Sequence, residues 1–217
     1  MKKIDRYNFK KAFTMIELVF VIVVMGILAA LAIPRLERDI RQEAMSNILS
    51  AIRYTKHLAL VDDKRDPRDN NWQKKLWHIR FAQYTNSDNK TRWFYTISTD
   101  DDKNSNVDKK ETAIDTATGK YIYHLAGSST INSDESPMIF IGKKYGVDTV
   151  SFSGGCANVQ HVAFDNLGRP HVGIYGATND SHTYMSSDCL ITIGFEKNGI
   201  DDINITVEKQ TGRVFAN

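Results

Sequence analysis

The sequence lacks the short motifs that mark common catalytic chemistries. It has no G-x-S-x-G, no phosphate-binding loop and no H-E-x-x-H. Its six histidines, His57, His78, His124, His161, His171 and His182, are scattered, and none stands at metal-ligand spacing from another histidine or cysteine. They read as surface or strand histidines. No period of 20–50 residues repeats, so a solenoid is excluded. A membrane-anchored enzyme finds no catalytic cluster to rest on, and no catalytic residue is expected.

Cysteine is scarce: Cys156 and Cys189 are the two in 217 residues. Cys156 follows Gly154-Gly155, a setting that suits a nucleophile, yet no base lies near it in sequence. Two cysteines without clustered histidines make a poor metal pair. A disulfide is expected, closing a loop of about 34 residues and worth roughly 3–4 kcal/mol. A metal pair or two free thiols are the alternatives.

Excess charge is also missing. The net charge is +2, and residues 1–12 hold Lys2, Lys3, Arg6, Lys10 and Lys11 against Asp5. That segment is +4, which leaves −2 for the rest and gives a general nucleic-acid-binding surface no support. Beyond the first 66 residues there is room for one domain of ordinary size.

Residues 13–33 are a run of 21 with one charge, Glu17. A helix of that length spans about 31 Å, the thickness of a bilayer's hydrocarbon core. A secretory signal has a shorter core and a small-residue cleavage site after it. Here Pro34-Arg35-Leu36-Glu37-Arg38 follows, and a second helical pattern begins. The run is therefore expected to stay in the protein as a membrane helix. The basic segment before it places the amino terminus in the cytoplasm and residues 35–217 outside. That compartment is oxidising, which favours the disulfide. Glu17 costs roughly 2.5–3.5 kcal/mol inside a membrane and needs a partner that the run does not contain.

After Pro34, Leu36, Ile40, Ala44, Ile48, Ile52 and Ala59 recur at near-helical spacing, with Met45, Leu49 and Leu60 beside them. This predicts an amphipathic continuation with a mild kink at Pro34, ending near Asp62–Pro67. From Trp72 the period becomes two. Trp77, Ile79 and Phe81 alternate with His78, Arg80 and Ala82, and Trp93–Ser98 alternates likewise. Further apolar runs, each read as a short strand, are 121–125, 138–141, 147–152, 159–164, 171–175, 190–195 and 203–207. One long helix followed by many short strands predicts an α+β fold, an antiparallel sheet domain packed on the helix.

Asp100–Glu111 resembles a twelve-residue calcium loop. Asp100, Asp102, Asn104, Asp108 and Glu111 fall at ligand positions, and hard oxygens at that spacing suit Ca²⁺. Ser105 stands where the sharp turn wants Gly, and Lys103, Lys109 and Lys110 dilute the negative field. The expected reading is therefore a solvated acidic loop with no cofactor, and a Ca²⁺ site is the alternative.

Lys10-Lys11-Ala12-Phe13-Thr14-Met15-Ile16-Glu17-Leu18 resembles the leader junction of type IV prepilins and type II secretion pseudopilins. The resemblance covers about residues 2–60 and includes Pro34. It departs at Ala12, where the family has Gly. It implies a basic leader over 1–12, cleavage between Ala12 and Phe13, and methylation of the Phe13 amine. It further implies a membrane helix over 13–34, an amphipathic helix over 35–66 and a periplasmic β-rich domain over 67–217. Glu17 would pair with a Phe13 amine of a neighbouring copy. The implied partners are other pilins in a filament, the prepilin peptidase and methyltransferase, an inner-membrane assembly platform and membrane lipid.

A second likeness lies near the carboxy terminus. Phe164-Asp165-Asn166-Leu167-Gly168-Arg169 and Thr211-Gly212-Arg213 are similar, in order, to the G-R turns of H-type minor pseudopilins (GspH/FimT-like). Some relatives in DNA uptake end in a basic G-R-x-R that touches DNA. The second Arg is absent here, where the tail reads Gly212-Arg213-Val214-Phe215. A DNA- or substrate-binding role in an uptake filament is the alternative to a purely structural one.

Overall fold

The computed structural model describes residues 14–86, 88–176 and 183–216, the side chains of residues 30–38 excepted. The chain divides into two units, Met1–Asp39 and Ile40–Asn217. Helix α1, Met15–Val61, contributes to each. It opens where the Thr14 hydroxyl accepts the Glu17 amide at 3.3 Å, an N-cap contact that satisfies one free N–H of the first turn. It stops at Val61, where Asp62, Asp63 and Pro67 follow, as their charge and ring dictate. The expected kink at Pro34 lies among the side chains outside the described residues.

Within the first unit, the α1 residues Met15–Ala29 are exposed on every side. Within the second unit, Ala44, Ile48, Ile52, Thr55 and Ala59 form a buried stripe at spacings of three, four and seven residues. Thr55 enters that stripe because its hydroxyl donates back to the Ala51 carbonyl at 2.9 Å.

Two four-stranded antiparallel sheets cover this stripe. The first, in order β2–β1–β4–β5, uses β1 (Trp77–Thr85), β2 (Thr91–Ser98), β4 (His161–Phe164) and β5 (Pro170–His171). The second, in order β3–β6–β7–β8, uses β3 (Val147–Gly154), β6 (Cys189–Phe195), β7 (Ile203–Val207) and β8 (Val214–Ala216). Register sets apolar residues opposite one another: Ile79 faces Ile97 and Val162, and Ile191 faces Ile205. Phe81 of the first sheet meets Phe152 of the second at 5.8 Å between ring centroids. The Trp93 indole N–H also donates to the Asp148 carbonyl at 2.8 Å. One core therefore joins α1 and both sheets. The fold is α+β, an amino-terminal helix followed by antiparallel sheets, consistent with a pilin fold.

Three expected strands change. The 121–125 run forms isolated bridges from Tyr121 to Ile114 and Glu135 instead of a strand, although Ile122 is buried. The 138–141 run turns helical. Ser136 accepts the Met138 amide at 3.3 Å and Pro137 opens a 3₁₀ turn, then α2 (Ile141–Tyr145) ends at Gly146 with φ +71°. The 171–175 run contributes only His171 to β5, and Gly173 at φ +65° turns the chain away.

Candidate functional site

Ala12 and Phe13 lie outside the described residues. Glu17 stands in the first turn of α1, exposed, with its amide on Thr14. Its carboxylate makes no hydrogen bond or ion pair among the described residues. A carboxylate there complements the positive end of the helix dipole, so this position is comfortable for Glu locally. Pro34 falls inside α1.

Residues 7–33 match the family described as "Prokaryotic N-terminal methylation motif". That match supports a type IV prepilin- or pseudopilin-like amino terminus. No curated protein and no solved structure matches the chain. The prepilin-like motif implies an amino terminus anchored in the inner membrane. Among the described residues no helix is long and apolar enough to cross a membrane. Of the expected span over 13–34, residue 13 and the side chains of residues 30–34 lie outside the described residues.

In the second unit the two G-R turns meet. Gly168 (φ +75°) closes the β4–β5 hairpin and Gly212 (φ +58°) precedes β8. A Cβ on Gly212 would run into the Gly168 carbonyl and the Phe164 ring, and one on Gly168 would meet the Lys56 side chain. Lys56 of α1 in turn donates to the Thr211 carbonyl at 2.7 Å. The Asp165 carboxylate braces the first turn, accepting Arg169 Nε at 2.7 Å and the Leu167 and Arg169 amides at 3.0 and 2.9 Å. Although burial alone would raise it, His171 and Arg169 hold this carboxyl well below the usual range. Arg213 is committed, 3.7 Å from Glu208 and stacked over Phe215.

Cys156 and Cys189 form a disulfide, with 5.1 Å between their Cα atoms. It joins the turn after β3 to the start of β6, at the end of a ladder already paired by Gly154 and Cys189. Gly154 and Gly155 fit because a Cβ on either would collide with the Asp188 or Ser187 carbonyl.

The acidic loop gathers part of the expected set. Asp100, Asp102 and Glu111 each bring an oxygen within 4.8 Å of the other two. Asn104 and Asp108 stay out: Asn104 donates to Asp102, and Asp108 caps the 3₁₀ turn at Lys109–Glu111. Asp100 is fully buried. Burial raises its carboxyl, the Ser105 amide opposes this, and Asp102 and Glu111 add to the rise.

Sequence reasoning missed a histidine group. His78, fully buried, contacts the Leu76 carbonyl at 3.0 Å, Ser98 Oγ at 3.1 Å and the Tyr175 hydroxyl at 2.6 Å. His161 lies beside it, 6.3 Å between ring centroids, and accepts the Gly173 amide at 3.1 Å. Burial pushes His78 down to about 4 and His161 down to about 3, so both are neutral near pH 7. A cleft of about 650 Å³ opens next to them, lined by Arg80, Phe152, Gln160, His161 and Tyr175 among others. The one available signal was strand position; the structure pairs His161 with Arg80, two residues along β1 from His78 and on the same face.

Proposed function

We propose that this chain is a minor pilin or pseudopilin, a structural subunit of a type II secretion pseudopilus or a type IV pilus-like filament. The carrying observation is the methylation motif at residues 7–33, which runs into a 47-residue helix whose first part exposes apolar side chains all round. In this reading prepilin peptidase cuts between Ala12 and Phe13, and the Phe13 amine is methylated. Residues 13–34 then hold the subunit in the inner membrane, and the helix continues through the amphipathic segment as far as Val61. Residues 67–217 stand in the periplasm until assembly. Glu17 pairs with a Phe13 amine of a neighbouring copy, which specifies register more than it adds net stability. No catalytic role is assigned. The meeting of the two G-R turns supports the H-type subfamily.

The test is the amino-terminal mass of the chain from a native membrane fraction, together with Glu17→Ala. The expected products are a chain beginning at methylated Phe13, and a variant that is cut normally but enters filaments at least about tenfold less, as a lost buried pair implies. A chain still beginning at Met1 would overturn the reading, and normal incorporation of the variant would overturn the Glu17 pairing. A DNA-binding role gains nothing from Arg213, which Glu208 and Phe215 already occupy.

A further inference from the structure

We propose that the loop Asp100–Glu111 is a binding site for one Ca²⁺, held by the carboxylates of Asp100, Asp102 and Glu111. One oxygen of each lies within 4.8 Å of the others. Three oxygens pairwise within 4.8 Å share a centre at most about 2.8 Å from each, close to the about 2.3–2.6 Å of Ca²⁺–oxygen bonds, so a small contraction lets a single ion touch all three. Mg²⁺, at about 2.0–2.1 Å, would require the set to contract further.

Grouped carboxylates alone are common at surfaces, and what separates this group is Asp100. Its side chain is fully buried. Oδ2 accepts the Ser105 amide at 2.9 Å, whereas Oδ1 is buried with no hydrogen-bond partner among the described residues. A buried oxygen left unpaired is costly, and the cost grows when the neighbouring groups are also carboxylates. Nearby lysines do not answer it. Lys103 is on Asp69 at 2.9 Å, Lys109 on Asp134 at 2.9 Å, and Lys64 bridges Asp62 at 3.1 Å and Asp101 at 3.2 Å. A cation from solution supplies the missing partner. Ser105, at φ +68°, holds the left-handed conformation at the position where calcium loops carry Gly. Asn104 and Asp108 are outside the group, so solvent fills the rest of the coordination shell.

The competing explanation is a proton shared between carboxylates, and the experiment separates the two. The full-length chain in detergent micelles is stripped with EDTA, then titrated with CaCl₂ near neutral pH and followed by calorimetry and thermal unfolding. One Ca²⁺ per chain is expected, with Kd around 10⁻⁴–10⁻³ M, the range of extracellular sites. Tm should rise by about 3–6 °C at tenfold excess over Kd. Asp100→Asn and Glu111→Gln should each weaken binding at least about tenfold, while Asp88→Asn, in the β1–β2 turn, leaves it unchanged. In calcium-free buffer Asp100→Asn should melt above the parent chain, because one of three clustered charges is gone, and this also reports that it folds. A parent chain with no response up to about 10 mM Ca²⁺ overturns the proposal. So does an Asp100→Asn chain that binds as the parent does. Stabilisation by acid alone, between about pH 7 and 5, with no calcium response, would assign the group to a shared proton.

Discussion

The two parts of α1 are both rich in Ile, Leu, Val and Ala, yet they solve opposite problems. From Ile40 to Ala59 the apolar residues keep to one side, and that side is buried by two sheets of the same chain. From Met15 to Ala29 they cover the whole circumference, with Phe20 at 68 % exposure and Ile22 at 61 %. Shared apolar residue types therefore do not imply a shared role. A one-sided pattern is completed by the chain that carries it, whereas an all-round pattern asks for cover from outside that chain, lipid or other helices.

The sharpest way to break this contrast is one substitution made in each part. Ile48→Ala removes a fully buried side chain and should destabilise the second unit by about 3–5 kcal/mol, read by thermal unfolding in detergent. Ile22→Ala should change the same transition by less than about 0.5 kcal/mol. Equal losses would show that the exposed part is covered by the chain after all. Next in size is Cys156→Ser with Cys189→Ser, which should cost about 3 kcal/mol; a reducing agent should lower the parent Tm and leave the double variant unmoved. Acid comes third. His78 and His161 are held neutral, with folded values of about 4 and about 3, so their contribution is complete above about pH 6.5 and shrinks as pH falls. By pH 4 His78 alone should have cost roughly 2–3 kcal/mol. A His78→Gln chain should be less stable near neutrality but flatter between about pH 6.5 and 4, and a parent-like slope would remove His78 from the account.

Much of this architecture is legible in the residues. The change of period between Ala59 and Trp77 separates helix from sheet, and the turn residues around 86–90 and 165–169 mark real hairpins. What is not legible has a common cause. The 121–125 and 138–141 runs are apolar without a clean period, and short runs of that kind fit a strand, a turn or a helix equally. Local chemistry decides: Ser136 and Pro137 start a helical turn, and Gly146 ends it. The acidic loop was visible by spacing, but which carboxylates converge depends on the cap at Asp108, which withholds that side chain. Strand position was legible for the histidines but their meeting was not, because His78, His161 and Tyr175 come together only across paired strands and a following turn.

The cations on the buried part of α1 also determine how it carries load. Arg41 donates to the Asp201 and Asp202 carbonyls at 3.0 Å each, Arg53 to Val214 at 2.9 Å and Lys56 to Thr211 at 2.7 Å. These grips are spread along about 22 Å of helix at 1.5 Å rise per residue, and all of them hold backbone around β7 and β8. A pull along the helix axis thus loads them side by side, in shear, instead of opening them one after another like a zip. The helix is riveted to its sheet at several points, so tension applied to it is shared by the domain before any single contact yields.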